Sequence, residues 1–386
     1  MEFLPFFLIL LAGVLFSAAF RRFHLPWVLA LIVAGITVGP HGFQLVELNP
    51  VIDFMGNIGL IFLMFMAGLE VKLEHFKEFG KKVASLAFIN SVVPFVTGFA
   101  IGYFFSFGFI PSLLLGIIFM SSSIAVIIPS LESSGMLEKK LGRTIVSATI
   151  IADVASLILL SILLQSVQTI TSLPLPSFYF LLIVILIAFW YGLPKIRGLI
   201  PRRRDEEDLF ESEVRIIFVL LIGTVVTFEL LGLHPIIAGF FTGLVLSGSI
   251  QSKIVLEKLR TLSYGLFIPI FFILVGVNTD ISFFLQGSAH IWFVFIIVFG
   301  SIIAKFSSGW IGAHVVGFRK KDRLFVGFAT IPQLSTTLAV VYTSVELDLL
   351  SNELVTAMVI LSIVTTFIAP LALRTLKHNS HHTHTA

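Results

Sequence analysis

The sequence contains no cysteine, so disulfide bonds and thiolate metal sites are excluded. It is also poor in charge, because only 12% of its 386 residues are Asp, Glu, Lys or Arg. Its polar segments carry no phosphate-binding loop, dinucleotide fingerprint, nucleophile triad or zinc-ligand spacing. We therefore expect neither an enzyme nor a bound cofactor, and no nucleic-acid partner.

Apolar residues are abundant instead, since the sequence is 57% hydrophobic and includes 41 Phe. No soluble core needs this much apolar surface. Apolar runs of roughly 18 to 25 residues, the length of a membrane-spanning helix, recur along the whole chain. The first run, at 3–20, is too long for a signal peptide and has no basic segment before it. The composition predicts an all-α polytopic membrane protein.

Thirteen of these runs are predicted to be transmembrane helices. They lie at 3–20, 25–42, 51–69, 83–105, 110–131, 143–165, 176–194, 214–231, 235–249, 262–277, 289–316, 324–344 and 353–373.

The basic residues divide unequally between the loops that join these spans. Of the 25 Lys and Arg residues, 24 fall in every second loop or at the C-terminal end, and the other loops have none. Because basic residues concentrate on the cytoplasmic side, the N-terminus is predicted on the outer side of the cell membrane and the C-terminus in the cytoplasm. The remaining basic residue is Lys305, inside the eleventh span.

One acidic residue is predicted to lie close to the middle of the membrane. It is Asp153, in the apolar stretch SATIIADVASLILL of the sixth span. A structural salt bridge with Lys305 is one interpretation, and an ion or proton pathway is the other. We favour the pathway, because an apolar contact would join two helices at lower cost. A single carboxylate binds either a proton or a dehydrated monovalent cation, so the two are expected to compete at Asp153.

Hydroxyl groups are clustered in two other spans, each of which also contains a proline. A proline removes one backbone hydrogen bond, and neighbouring hydroxyls can satisfy the freed groups or ligate an ion. Two kinked helices whose hydroxyls bond their own carbonyls are the alternative. Interrupted helices at corresponding positions of two halves are typical of a transporter binding site. The fifth span has Ser121, Ser122, Ser123 and Pro129, and the twelfth has Thr330, Pro332, Gln333, Ser335, Thr336 and Thr337.

The spans can be grouped into two sets of six around an odd linker. The predicted organisation is one transmembrane domain, with a first repeat at about 3–165, a linker helix at about 176–194 and a second repeat at about 214–373. The linker gives the two sets opposite orientations, which is an inverted-topology repeat. We expect residues 374–386, which are rich in His, to form a disordered tail.

Several motifs resemble the cation:proton antiporter-2 branch of the sodium/proton exchanger family. They are LIVAGITVGP in the second span, NIGLIFLMFMAGLE in the third, SSSIAVIIPSLESSGML in the fifth, IIADVASLILL in the sixth and AKFSSGWIGA in the eleventh. The resemblance implies a homodimer, a scaffold with a mobile core, and two crossed broken helices at spans five and twelve. It also implies that Asp153 is the ion-binding aspartate and Lys305 the core lysine. Exchangers and channels of the Kef type usually have a cytoplasmic nucleotide-binding domain after the last span, which is not expected here.

The sequence departs from this resemblance at two places. Electrogenic members have two adjacent aspartates in the sixth span, but Ala152 occupies the first position here. Lys305 must then pair with Asp153, with backbone carbonyls or transiently with nothing. If Lys305 keeps its proton, exchange is electroneutral, which we favour; if it loses its proton when a cation binds Asp153, two protons move per cation and exchange is electrogenic. In the twelfth span, PQLSTT replaces a pattern of glycine and an acid. Sodium, potassium and lithium therefore remain candidate cations.

Three other functions are alternatives to a sodium/proton antiporter. A potassium efflux system or potassium/proton exchanger has similar site chemistry. A sodium-coupled organic anion symporter needs more polar groups around a larger cavity, and a channel needs a continuous polar pore. The expected substrates are therefore a monovalent cation and a proton, in a protein embedded in the lipid bilayer.

Overall fold

The computed structural model describes residues 3–22, 26–47, 49–71, 80–167, 184, 187–193, 195, 212–231, 233–250, 252–280, 282 and 288–381. Within these ranges the regular structure is helical throughout, in agreement with the predicted all-α class. In a lipid environment a helix satisfies every backbone hydrogen bond inside one segment, which explains why the apolar runs fold in this way.

Fifteen α-helices are assigned over these ranges. They are α1 (Phe3–Arg22), α2 (Trp27–Val38), α3 (Pro50–Glu70), α4 (Lys81–Phe104), α5 (Phe109–Met120), α6 (Ile124–Ser133), α7 (Lys140–Val167), α8 (Ser212–Leu230), α9 (Pro235–Ser247), α10 (Lys253–Leu262), α11 (Ile268–Val277), α12 (Ser288–Val315), α13 (Lys320–Ala329), α14 (Ser335–Glu346) and α15 (Asn352–His381). One π-helical turn, Ser263–Phe267, joins α10 to α11.

Eight helical stretches in the described part of the chain are long and apolar enough to cross a membrane. They are Phe3–Arg22, Pro50–Glu70, Lys81–Phe104, Phe109–Ser133, Lys140–Val167, Lys253–Val277, Ile291–Val315 and Asn352–Leu376. Two predicted spans, α2 and α9, form shorter apolar helices. The predicted linker span, 176–194, lies mostly outside the described residues, although 187–193 are helical.

The chain divides into two compact units. Unit 1 comprises Met1–Phe54, His75–Leu160 and Pro269–Ala386, and unit 2 comprises Met55–Glu74 and Ser161–Ile268. In unit 1, α4 packs along α5 and α12, and α12 also contacts α13 and α15. The polar residues in the middle of α7, which include Thr149 and Asp153, are buried.

Glycines allow close helix crossings within each unit. In unit 1, a Cβ at Gly35 of α2 would collide with the Ile273 carbonyl of α11, and a Cβ at Gly276 would collide with the Ile32 carbonyl. In unit 2, Gly68 of α3 and Gly243 of α9 meet each other's backbone in the same way. Small residues at such crossings allow two membrane helices to approach to backbone contact.

Two details differ from the prediction. Pro129 was expected to contribute to the interruption of the fifth span, but it lies inside α6 and the interruption is at residues 121–123. A proline inside a membrane helix is tolerated when neighbouring groups satisfy the freed carbonyl. In addition, α15 continues to His381, beyond the predicted end of the last span at 373.

Candidate functional site

The first interruption lies in unit 1, between α5 and α6. The chain leaves the helix after Met120 and resumes at Ile124. At this position the Ser121 hydroxyl donates to the Ile118 carbonyl at 3.0 Å. Serine hydroxyls compete with the helical backbone for such carbonyls, and this explains why three consecutive serines open the helix here.

The second interruption, also in unit 1, lies between α13 and α14. Helix α13 ends at Ala329 and α14 begins at Ser335. Pro332 lies between them and has no backbone N–H to continue a helix. The break is therefore centred on the predicted proline, in contrast to the first one.

The two interruptions contact each other directly. The backbone N–H of Ser123 donates to the Pro332 carbonyl at 2.7 Å. The hydroxyls of Ser121 and Thr337 are 2.8 Å apart, and those of Ser123 and Ser335 are 3.5 Å apart. Polar groups at each interruption are thus hydrogen-bonded to polar groups at the other.

Asp153 is buried in α7 against the first interruption, with 2% of its surface exposed. Its Oδ1 accepts the backbone N–H of Ser122 at 2.8 Å. Among the described residues, no hydrogen bond is found for its Oδ2. One carboxylate oxygen is therefore held by the backbone, and the other has free acceptor capacity.

Lys305 is fully buried in α12 and contacts the same interruption from another side. Its Nζ donates to the Met120 carbonyl and to the Ser122 hydroxyl, each at 2.7 Å. Within the described residues, Lys305 forms no direct ion pair with Asp153. The sequence allowed Lys305 to pair with Asp153, with backbone carbonyls or with nothing. In the structure it donates to a backbone carbonyl and, in addition, to a hydroxyl. Met120 ends α5, so its carbonyl belongs to the negative end of that helix, which favours a cation.

Gln333 donates to carbonyls at the end of α5 and in the first interruption. Its Nε2 donates to the carbonyls of Ile118, Phe119 and Ser121 at 3.2, 2.8 and 3.1 Å. Its Oε1 accepts the Ser301 hydroxyl at 2.7 Å. The last four carbonyls of a helix have no partner within that helix, so this side chain acts as a cap. Gln333, which lies in the second interruption, is therefore hydrogen-bonded to the first one.

The other predicted site residues of the twelfth span differ in their contacts. The Thr330 hydroxyl donates to the Lys305 carbonyl at 3.1 Å, so Thr330 joins the lysine's helix to the second break. Thr336 is buried, but no side-chain hydrogen bond is found for it in the described part of the chain. Thr330, Gln333 and Ser335 thus join the network around Asp153 and Lys305, and Thr336 does not.

Two residues near the site were missed in the sequence. Thr149 lies one helical turn before Asp153, is 1% exposed, and its hydroxyl has no partner among the described residues. Ser301 lies one turn before Lys305 and supports Gln333. The signal that could have identified both is their spacing of four residues from a buried charge, which places two side chains on the same helix face.

The chemistry available at this site is that of one carboxylate, several neutral oxygens and a fixed cation. A group of three or more His, Asp or Glu residues that could hold a resident metal is not found in the described residues. Neutral oxygens and one carboxylate suit a dehydrated monovalent cation. An all-helical membrane protein with two interrupted helices that meet beside a buried acid has the architecture of a secondary transporter.

Comparison with known proteins identifies the family. The family described as "Sodium/hydrogen exchanger, transmembrane" matches residues 6–377, and the chain belongs to this family of transporters. "Probable Na(+)/H(+) antiporter 3" of Methanocaldococcus jannaschii is 30% identical, over 96% of this chain and 95% of the relative. "Na(+)/H(+)-K(+) antiporter GerN" of Bacillus cereus is 29% identical, over 97% of this chain and 96% of the relative.

The fold is also found among solved structures. The sodium proton antiporter MjNhaP1 of Methanocaldococcus jannaschii superimposes with a TM-score of 0.70, covering 96% of this chain and 94% of that one. The sequences are 18% identical, so this likeness concerns the fold alone.

Proposed function

We propose that this protein exchanges protons for a monovalent cation across the cell membrane, with sodium as the first candidate. The observation that carries the proposal is Asp153, a carboxylate buried against an interrupted helix that a lysine contacts from another side. The family membership supports antiport, and two relatives carry sodium/proton antiport in their names.

Asp153 is the group for which cation and proton compete. Its Oδ1 stays on the Ser122 backbone N–H, and its Oδ2 receives the cation or the proton. The Thr149 hydroxyl, one turn away and without a partner in the described residues, supplies a neutral ligand when the cation binds. Because one site cannot hold both ions, binding of one releases the other, and exchange follows when the site faces each side in turn.

Exchange at this site is electroneutral. Lys305 has two acceptors, the Met120 carbonyl and the Ser122 hydroxyl, that do not depend on the charge of Asp153. The ammonium therefore keeps its contacts whether Asp153 holds a proton or a cation. One proton then moves for one cation, since Ala152 leaves no second carboxylate beside Asp153.

Alternating access comes from an inverted-topology repeat of thirteen spans, with residues 3–165 and 214–373 as its halves and 176–194 as the linker. This pairing relates α2 to α9 and α3 to α11. The glycine crossing of α2 with α11 then corresponds to the crossing of α9 with α3. Two equivalent crossings support the repeat, as do two interruptions that contact each other.

The remaining proposals concern assembly, orientation and selectivity. The protein is a homodimer of the cation:proton antiporter-2 branch, with its N-terminus outside and its C-terminus in the cytoplasm. Potassium is the second candidate cation, because the name of the Bacillus cereus relative includes it. A sodium-coupled organic anion symporter is the least favoured alternative, since the described neighbours of Asp153 include the small polar residues Ser122 and Thr149.

Proton flux in proteoliposomes tests this function. Purified protein is reconstituted with an imposed pH gradient, and sodium or potassium is added in turn to wild type and to Asp153→Asn. We expect cation-dependent proton flux in the wild type and none in the variant. Sodium-driven flux that is unchanged when the membrane potential is clamped would support one-for-one exchange.

Glu132→Gln is the matched control, because Glu132 is an exposed acid at the end of α6. It should transport like the wild type. Flux that survives in Asp153→Asn would reject Asp153 as the exchange site. Flux that follows the membrane potential would retain the site but would make Lys305 a second proton carrier. An organic anion that drives saturable sodium uptake would favour the symporter.

A further inference from the structure

Many buried hydroxyls in the helices bond a carbonyl of their own helix. In α15, the Thr356 hydroxyl donates to the Asn352 carbonyl at 2.9 Å, and the Thr365 hydroxyl to the Leu361 carbonyl at 2.8 Å. This is the usual way in which a membrane helix satisfies Ser and Thr. A buried hydroxyl without such a bond is therefore turned toward something else.

Ser362 and Thr366 of α15 are such exceptions. They are 0% and 7% exposed, and neither hydroxyl has a hydrogen-bond partner within the described residues. They lie four residues apart, so they occupy one face of the helix. A buried hydroxyl without a partner is costly, by about 1–3 kcal/mol, so two on one face indicate a missing partner.

Both residues line one small cavity in unit 1. The other walls include Val28 and Ile32 of α2, Ile363, and Leu334 at the second interruption. The volume of the cavity is about 10 Å³. One water molecule needs about this much space, together with two or more polar partners.

The walls of the cavity decide which ligand fits it. None of the described residues that line it is charged, so a bare cation would have no counter-charge from them. The backbone N–H of Leu334, the last residue before α14, also has no acceptor among the described residues. Water can donate to the two hydroxyls and accept from an N–H, which an apolar ligand cannot do.

We propose that Ser362 and Thr366 hold one buried water molecule beside Leu334. The water bridges the two hydroxyls and gives the second interruption a hydrogen-bond partner from solvent. It joins α15 to the start of α14, and so completes a break that protein groups alone leave unsatisfied. This site is separate from Asp153 and does not depend on the ion that is transported.

Thermal unfolding in lipid nanodiscs tests the proposal, using Ser362→Ala, Thr366→Val and the double variant. If a shared water is bound, each single change removes one of its partners and lowers the Tm, by about 2 °C. The double variant should then lower the Tm no further than the more harmful single change, because both act on the same water. If the hydroxyls instead face a dry cavity, each single change should raise the Tm, because it removes an unsatisfied polar atom.

Ser344→Ala and Thr242→Val are matched controls, because these buried hydroxyls bond their own helix, at 2.7 and 2.8 Å. A Tm that rises in either single variant, or falls additively in the double variant, would overturn the proposal. A high-resolution map provides a second measurement. Density for a water between the two hydroxyls, lost in Thr366→Val, supports the site, and a wild-type map that resolves other buried waters but none here rejects it.

Discussion

Lys305 and Asp153 contact the same residue, Ser122, from two sides. The lysine donates to its hydroxyl, and the carboxylate accepts its backbone N–H. These two buried residues of unit 1 are therefore joined through an interrupted helix rather than directly to each other. A change at Ser122 can reach both of them.

Ser122→Ala should separate these two roles. The variant keeps the backbone N–H on Asp153 but removes one acceptor of Lys305, which leaves a buried ammonium with one hydrogen bond fewer. We expect a lower maximal transport rate, by about tenfold for a cost near 1.4 kcal/mol, with little change in the half-saturating cation concentration. Proteoliposome flux as a function of sodium concentration measures both quantities. Ser130→Ala is the control, because its hydroxyl bonds the Val126 carbonyl, and equal rates in the two variants would contradict the prediction.

Gln333 should be important for stability. Gln333→Met has a similar volume but removes the amide that donates to the carbonyls of Ile118, Phe119 and Ser121. We expect a loss of about 1–3 kcal/mol in the free energy of unfolding. Ser301→Ala, which removes only the donor to Oε1, should be milder. Unfolding temperatures in the same lipid rank the variants, and a Gln333→Met protein as stable as the wild type would show that the amide is not a cap.

Competition at Asp153 predicts a definite pH dependence of transport. When protons occupy the site, more sodium is needed to displace them. The half-saturating sodium concentration should therefore rise by about tenfold for each unit by which the pH falls below the pKa of the Asp153 carboxylate. The maximal rate should change less than this concentration does. Initial rates at several sodium concentrations and pH values provide the measurement. A half-saturating concentration that ignores pH would mean that cation and proton bind at different places.

Asp280, which follows α11, should contribute stability that depends on pH. The Ser282 hydroxyl and backbone N–H donate to Asp280 Oδ1 at 2.6 and 2.9 Å, and His41 Nδ1 lies 3.3 Å away. The Ser282 hydrogen bonds, with His41 nearby, hold the pKa of Asp280 below its usual value of 3.8. Because the pKa of Asp280 is lower in the folded protein, its stabilisation is complete above the usual pKa of 3.8. The stabilisation is lost as the pH falls through the lowered pKa of the folded protein.

Asp280→Asn should therefore lower the Tm at neutral pH, and the difference from wild type should shrink as the pH falls below about 3.8. Asp348→Asn, at an exposed acid that follows α14, is the control and should have little effect at any pH. Unfolding curves across the pH range in nanodiscs give the comparison. A constant difference between Asp280→Asn and wild type at all pH values would exclude this carboxylate as the cause.

The helix crossing in unit 1 predicts opposite effects for two glycines. Gly35→Ala places a methyl group against the Ile273 carbonyl, so α2 and α11 must move apart and the protein should lose stability. Gly223→Ala, in α8, meets nothing within 4 Å, and should stabilise the protein by roughly 0.5–1 kcal/mol through its helix propensity. Thermal unfolding should therefore show Tm shifts of opposite sign. Equal shifts would mean that the crossing tolerates a side chain.

The sequence predicted the helical class and the residues that could carry charge through the membrane. Asp153 and Lys305 stand out because a charge in an apolar run is costly and therefore rare. The hydroxyl clusters stand out as groups of polar residues within apolar runs. The structure brings Ser121, Ser122 and Ser123 to the residues of the twelfth span that were predicted with them, and it places Thr336 outside that network.

What the sequence could not predict depends on side-chain direction. Thr149 and Thr356 look alike in sequence, but the hydroxyl of Thr356 bonds its own helix and that of Thr149 does not. The role of Gln333 as a cap depends on carbonyls more than two hundred residues earlier, which no local pattern reveals. Pro129 was a misleading signal, because serine hydroxyls rather than the proline open the fifth span.

The contact between the two interruptions also has a consequence for how the protein is made. The Met120 carbonyl receives its donor from Lys305, 185 residues further along the chain, and the Phe119 carbonyl from Gln333, 214 residues further along. A ribosome that has just delivered α5 and α6 to the bilayer has not yet synthesised either partner. The first half therefore enters the membrane with an unfinished backbone, and its broken helix becomes complete only when the second half arrives.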